Sequence, residues 1–237
     1  MTEYKIVVTD VTEFGDLFCV AGWDLISSRM VRPEPPGTTA KSVEGRFWKS
    51  EHVGADKSFN VGNVVTFSGI NAPDSFPYPH ATEDVVIEAG STITVVSRET
   101  LAATTAMVTG SLSRTLPAVY DGGLLRRPNG KAYVPRDHNG RSLGAIEVAS
   151  DALVFHENRY NPEKPKLRAW VTVGGITYNI PVTSVAAHKR WRQGGLAALA
   201  ADVANAQGLH LRMGLARPWH GQPDECWAQI NGILPLT

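Results

Sequence analysis

The residues best suited to chemistry are four clusters of basic side chains with aromatic residues set among them. Arg126, Arg127, Lys131, Tyr133, Arg136, His138 and Arg141 fall within sixteen residues of turn-rich sequence. Lys164, Lys166, Arg168 and Trp170 enter a stretch of alternating apolar residues, and His188, Lys189, Arg190, Trp191 and Arg192 form the densest run. Arg217, Trp219 and His220 complete the set. Single-stranded nucleic acid needs cations for its phosphates and aromatic faces for its bases, and these clusters offer both. Arg32 and Arg217, each fixed before a proline, join them as candidate phosphate contacts. Both arginines also fit a structural role, holding a strand end by pairing across the fold. Core packing is the alternative for each tryptophan, and His188–Arg192 reads equally as an exposed helix end around a buried Trp191.

Signatures of catalysis are missing. The sequence has no GxSxG elbow, no HExxH, no GxxxxGK[ST] loop and no GxGxxG turn. Cys19 stands in the apolar run FCVAG and Cys226 beside Trp227, where each reads as a small buried hydrophobe. His156 and Glu157 are neighbours on a predicted strand and point to opposite faces, so they do not act jointly on one substrate. The histidines are isolated, without metal-ligand spacing. The expectation is a protein with no catalytic residue, no metal and no cofactor.

The 237 residues suffice for one large domain or two near half that length, and 43% hydrophobic with 19% charged residues is the balance of a folded chain. Its 22 glycines and 15 prolines call for many turns. No apolar run approaches a membrane span and the first residues lack a signal-peptide core, so a cytoplasmic protein without membrane contact is expected. The zero net charge hides an asymmetry. Residues 1–110 hold 8 Lys/Arg against 14 Asp/Glu, a charge of −6, whereas residues 111–237 hold 15 against 9, a charge of +6. Five of the seven histidines also lie in the basic part, as do all four clusters. The basic part either faces a polyanion or is matched by the acidic one.

The elements that must position these residues are mostly short strands. YKIVVTDV, LFCVAGWDL and SSRMVRP read as three strands, with Ser27-Ser28 turning between the last two and Pro33, Pro35 and Pro36 ending the third. VGNVVTFSGI (61–70), VVIE (85–88) and TITVV (92–96) follow, and the proline-rich segment 71–80 between them is an extended loop. Ser97 caps a predicted short helix over 97–108. GAIEVASDALVFHEN (144–158) gives one or two strands, and two alternating runs around Gly174-Gly175 predict a hairpin with a two-residue turn. Residues 185–207 are helical, with Gly208 as the stop. LHLRMGLARPW and CWAQINGILPL close the chain as strands. An echo links RMVRPEPPG (29–37) with RMGLARPWHG (212–221), each near a cysteine strand, as a duplication would leave. The pattern predicts a mainly β protein with minor α, not alternating βαβ units.

KIVVTDVTEF followed by CVAGWDLISSRMVRP resembles the start of the prokaryotic dual OB-containing domain family, through Ala21, Gly22, Asp24, Leu25, Val31, Arg32 and Pro33. The segments GLARPW and WAQINGIL resemble that family's closing strands. The resemblance implies two OB-like small β-barrels joined by a short helix: a barrel over 1–96, a bridging helix over 97–110, and a basic barrel over 111–237 with a helical insertion near 185–207. It also implies a role in recognising nucleic acid or a nucleotide, as a component of a larger, defence-related complex. The expected partners are therefore single-stranded nucleic acid or a nucleotide, together with other proteins. Two alternatives stay open. One is a protein-interaction subunit without nucleic-acid contact, and the other is a small-molecule or nucleotide-processing enzyme with a site between the barrels.

Overall fold

A computed structural model describes residues 2–39, 44–71, 82–218 and 221–236. The chain divides into two compact units, Met1–Ser111 and Leu112–Thr237. In the first, β1 (Thr2–Phe14), β2 (Leu17–Asp24), β3 (Arg29–Glu34), β4 (Asn63–Asn71) and β5 (Asp84–Ile87) run in the order β1-β2-β3-β5-β4, and a β4–β1 ladder closes the ring. Only β3 and β5 are parallel neighbours. β1 is long enough to serve both sides: its first half pairs with β4, and Ile6 to Phe14 pair with β2. A register shift between Val8 and Asp10 bends it, as barrel closure requires. Gly22 sits where the strands press together, since a Cβ there would stand 2.5 Å from the Val7 carbonyl oxygen.

Asp24 secures the β2–β3 turn. Its carboxylate accepts from the Ser27 amide at 3.0 Å and the Ile26 amide at 3.3 Å, which lets Ser28 take a φ of 52°. Pro33 lies inside β3, paired beside Val85, and the strand continues to Glu34. Its missing N–H is tolerated within this strand, and its carbonyl accepts from Trp48 Nε1 at 2.8 Å. β6 (Thr94–Arg98) extends the sheet along β4, and α1 (Leu101–Met107) follows. The α1 cap is Thr100, not Ser97, because the β6 ladder runs through Arg98 and holds Ser97 in the strand. Val108, just after α1, packs on Val7 and Val64 in the first unit's core.

The second unit starts with β7 (Leu112–Ser113), α2 (Leu116–Val119), β8 (Leu125–Arg126) and β9 (Ala132–Pro135). Its barrel follows. A long first strand is split by a 3-10 turn at Ser150–Ala152 into β10 (Leu143–Val148) and β11 (Leu153–Asn158). β12 (Lys166–Val173), β13 (Ile176–Pro181), α3 (Val185–Ala204), β14 (Gly208–Leu215) and β15 (Glu225–Leu236) complete it. β11 pairs with β12 and β12 with β13, while β10 pairs with β14 and β14 with β15. Val182, just past β13, bridges Ile230 of β15 in parallel. The cyclic strand order is the one seen in the first unit, again with the third and fifth strands parallel. This is the five-stranded Greek-key barrel of OB folds, built twice. α3 fills the third-to-fourth connection here, where the described residues of the first barrel have a 3-10 turn at Glu44–Arg46.

Gly174 and Gly175, at φ 57° and 78°, make the two-residue turn between β12 and β13. α3 ends at Asn205, and Gly208 belongs to β14, paired with Leu236. The helix is broken at Gly195, whose φ of 68° and ψ of −165° are not helical. The echo does not mark a duplication: Arg29–Glu34 is the third strand of its barrel, whereas Arg212-Met213 is in the fourth strand of the other. Alternation on β12 sends Leu167, Ala169 and Val171 into a core shared with Tyr178, Ile180, Leu209, Leu211 and Ile230. Lys166, Arg168, Trp170 and Thr172 consequently lie on the outer face. The segment 71–80 falls outside the described residues except for Asn71, the last residue of β4. No helix among the described residues is long and apolar enough to cross a membrane.

Candidate nucleic-acid interface

The outer face of β11–β12–β13 gathers one of the four clusters and part of another. Register places Val154, His156 and Asn158 of β11 opposite Trp170, Arg168 and Lys166, and Asn179 and Pro181 of β13 opposite Trp170 and Arg168. The His156 ring stacks on Trp170 with centroids 5.2 Å apart and planes inclined by 20°. Trp170 remains 36% exposed, enough to offer surface to a further ring. Beside it, Arg168 is 9% exposed. Its Nε donates to Asn179 Oδ1 at 2.6 Å and its terminal nitrogen to the Asn179 carbonyl at 2.7 Å. Asn179 Oδ1 also lies 3.3 Å from His156 Nε2. Among the described residues no carboxylate pairs with Arg168, and burial pulls its guanidinium down to about 10. It is still a cation at neutral pH.

The β8–β9 turn lies against this face. Gly130, at φ 82°, accepts from the Asn179 amide at 2.8 Å, and a Cβ there would stand 3.0 Å from the Trp170 ring. Only glycine meets both demands. Arg126 is exposed and donates from Nε to the Thr177 carbonyl at 2.9 Å, and Lys131 follows the turn. On the far side of this hairpin Arg127 lies over the rings of Tyr133 and Trp227, 5.5 Å and 5.3 Å from their centroids, and pairs with Glu225. Arg136 is exposed at the end of β9. Arg141 is held by Asp121 and by the Ala118 carbonyl. The loop from β11 to β12 adds Arg159, Lys164 and Tyr160, which is 97% exposed.

The remaining cations lie elsewhere. Trp191 reaches Glu157 from α3, its Nε1 donating to Oε1 at 3.0 Å. Glu157 and His156 take opposite faces of β11, so Lys189, Arg190, Trp191 and Arg192 do not share the Trp170 surface. Arg190 instead pairs with Asp202 across the kink, at 2.7 and 3.0 Å. Hydrogen bonds from Arg159 first, then Trp191, hold the Glu157 carboxyl below the usual carboxylate range. Arg217 is half-buried after β14, and Trp219 and His220 lie outside the described residues.

Arg32 is in the first barrel, its side chain 12% exposed and paired with the buried Asp84. Arg46 bridges Asp84 at 2.7 Å and Glu34 at 2.8 Å. Burial works against the Arg32 charge, but Asp84 and then Glu83 outweigh it and raise its pKa above the ordinary arginine value. Two clefts are also present: one of about 470 Å³ lined by Phe47, Trp48 and His52, and one of about 530 Å³ between Val154, Phe155 and the second half of α3. Among the described residues no three His, Cys, Asp or Glu side chains could hold a metal. Burial pushes the Cys226 thiol up to about 12, which leaves it a protonated core group.

His156, Asn179, Tyr160 and Trp227 complete these surfaces, and none of them stands out in the sequence as a site residue. The pairing of His156 with Arg168 follows only from the β11–β12 register.

The family model of the Dual OB-containing domain matches residues 4–233, nearly the whole chain. The chain belongs to this family. The two barrels described above are the two OB folds that the family's description requires. No curated protein and no solved structure matches the chain. As a member of the dual OB family the protein is an OB-fold binding module, and the outer face of second and third strands is where such folds present oligonucleotide sites. In its second barrel those strands are β12 and β13.

Proposed function

We propose that the protein binds single-stranded nucleic acid on the outer face of β11–β12–β13. The observation that carries this reading is the exposed Trp170, stacked with His156 and set beside a buried arginine that no carboxylate among the described residues neutralises. A flat aromatic accepts any base, and a cation held on a rigid strand meets the phosphate next to it. Lys166, Arg126 and Lys131 rim the same face. The surrounding unit carries the +6 charge, which draws a polyanion to it. In this reading Lys166, Arg168 and Trp170 are the central contacts. Arg127, Tyr133 and Arg136 form a flanking surface, and Arg141, Lys189, Arg190, Arg192 and Arg217 contribute only to the long-range field. The family resemblance extends the proposal to a cytoplasmic component of a larger, defence-related prokaryotic complex.

The test is a fluorescence-anisotropy titration with labelled DNA and RNA strands of about ten nucleotides, near the site size of an OB fold, and with a duplex. Single strands should bind more tightly than duplex, with an affinity that falls steeply as salt rises. Trp170→Ala should weaken binding about tenfold or more, the effect of removing one stacking surface. Failure of every probe to bind at low salt would overturn the reading and direct attention to protein partners.

A further inference from the structure

Arg168 has a property that no other strand residue on this face shares. The residue is buried, 9% exposed, by the same measure that leaves Trp170 36% exposed. Its two described hydrogen bonds both go to one neutral residue, Asn179. A buried cation normally has an anion beside it, because an amide offsets only part of the lost hydration. The side of the guanidinium that faces Asn179 is fixed by these two bonds, so the fork cannot swing away to water. Its remaining N–H groups are held, already oriented, one residue pair from the Trp170 ring. Lys166 stands on the same face two residues before it, and Asn158 lies opposite Lys166.

Resting on the proposed binding face, we infer that Arg168 is the seat of one phosphate group, so that this site takes a nucleotide as a unit: a base on Trp170 and its attached phosphate on Arg168. The ligand chemistry is a phosphorylated nucleoside, supplied either by a phosphodiester within a strand or by a free nucleotide. Asn179 is the positioning residue. It anchors the guanidinium from Nε and one terminal nitrogen and leaves the other edge for two oxygens of the phosphate, the fork geometry that arginine offers and lysine does not.

The experiment uses the full chain and thymidine decamers in which one phosphodiester at a time is replaced by a neutral methylphosphonate. With the wild type, one position should lower affinity at least tenfold more than its neighbours. With Arg168→Gln the whole affinity should fall about tenfold, and that position should then cost no more than the others. Arg168→Lys should keep the charge, recover only part of the affinity and blur the position. Competition by thymidine monophosphate but not thymidine would assign the seat to free nucleotides as well as to strands. The melting temperature of Arg168→Gln should equal or exceed that of the wild type, because a cation without an anion is removed. The inference is overturned if the decamers bind and depend on Trp170 but the wild type shows no sensitive position, or Arg168→Gln keeps the same one, which leaves the binding face standing. If no decamer binds, the binding face itself falls and the seat with it.

Discussion

Two arginines of the first barrel and Arg168 of the second are treated in opposite ways. In the first, Arg32 and Arg46 converge on Asp84, and Arg46 also meets Glu34, so charges are matched inside the fold. In the second, Arg168 hydrogen-bonds, among the described residues, only to the side-chain amide oxygen and the carbonyl of Asn179. Burial alone acts on Arg168 and lowers its pKa, whereas the carboxylates around Arg32 raise that group's. One strand order therefore carries two uses of the same side chain. The matched arginines hold β3 to β5 and to the segment that stands where a helix stands in the other barrel. The unmatched one is the cation on which the proposed phosphate seat rests.

The largest effect expected from this contrast is on stability. Asp84→Asn leaves Arg32 without its carboxylate and should cost about 3–5 kcal/mol, the usual result of breaking a buried pair from one side. Arg168→Gln should change stability by less than about 1 kcal/mol, because no ion pair is broken. Urea denaturation of the two variants checks both. Equal losses would erase the contrast.

A smaller effect is expected from pH. Burial first, and the Arg212 charge second, hold the His210 pKa down at about 3. An unfolded chain takes up that proton near 6.5. The contribution is thus fully present above the unfolded value and is lost as pH falls from there toward the folded one. Between pH 7 and pH 5 the second unit should lose about 2 kcal/mol. His210→Leu should flatten that slope, measured as the change in urea midpoint with pH. Smaller again is the helix cap. Ser184→Ala removes the acceptor for the Ala187 amide and should cost about 1 kcal/mol, with no change in affinity for single strands, since α3 lies away from the Trp170 face.

Much of the fold was legible where local chemistry decides it. The alternation on either side of Gly174-Gly175 gave the β12–β13 hairpin, and Ser27-Ser28 gave the β2–β3 turn. The boundaries that moved were set by distant partners. Arg98 pairs with Asn63 and carries β6 past Ser97, so the α1 cap passes to Thr100. Gly208 pairs with Leu236, so α3 stops earlier. The site follows the same rule. Basic and aromatic residues are visible as types, and the β12 cluster of Lys166, Arg168 and Trp170 was among them. That His156 stacks on Trp170, that Asn179 fixes Arg168, and that Asp84 meets Arg32 depend on pairing between strands 11 to 52 residues apart. Burial of a cation without an acid leaves no mark in one sequence.

The account's central claim is the place of binding, and hydrogen–deuterium exchange of the full chain with and without a saturating thymidine decamer tests it most directly. Slower exchange should appear in 166–181 and in the 126–131 turn, with 189–192 and the first barrel unchanged. Protection confined to α3 or to the first barrel, with 166–181 unaffected, would contradict it.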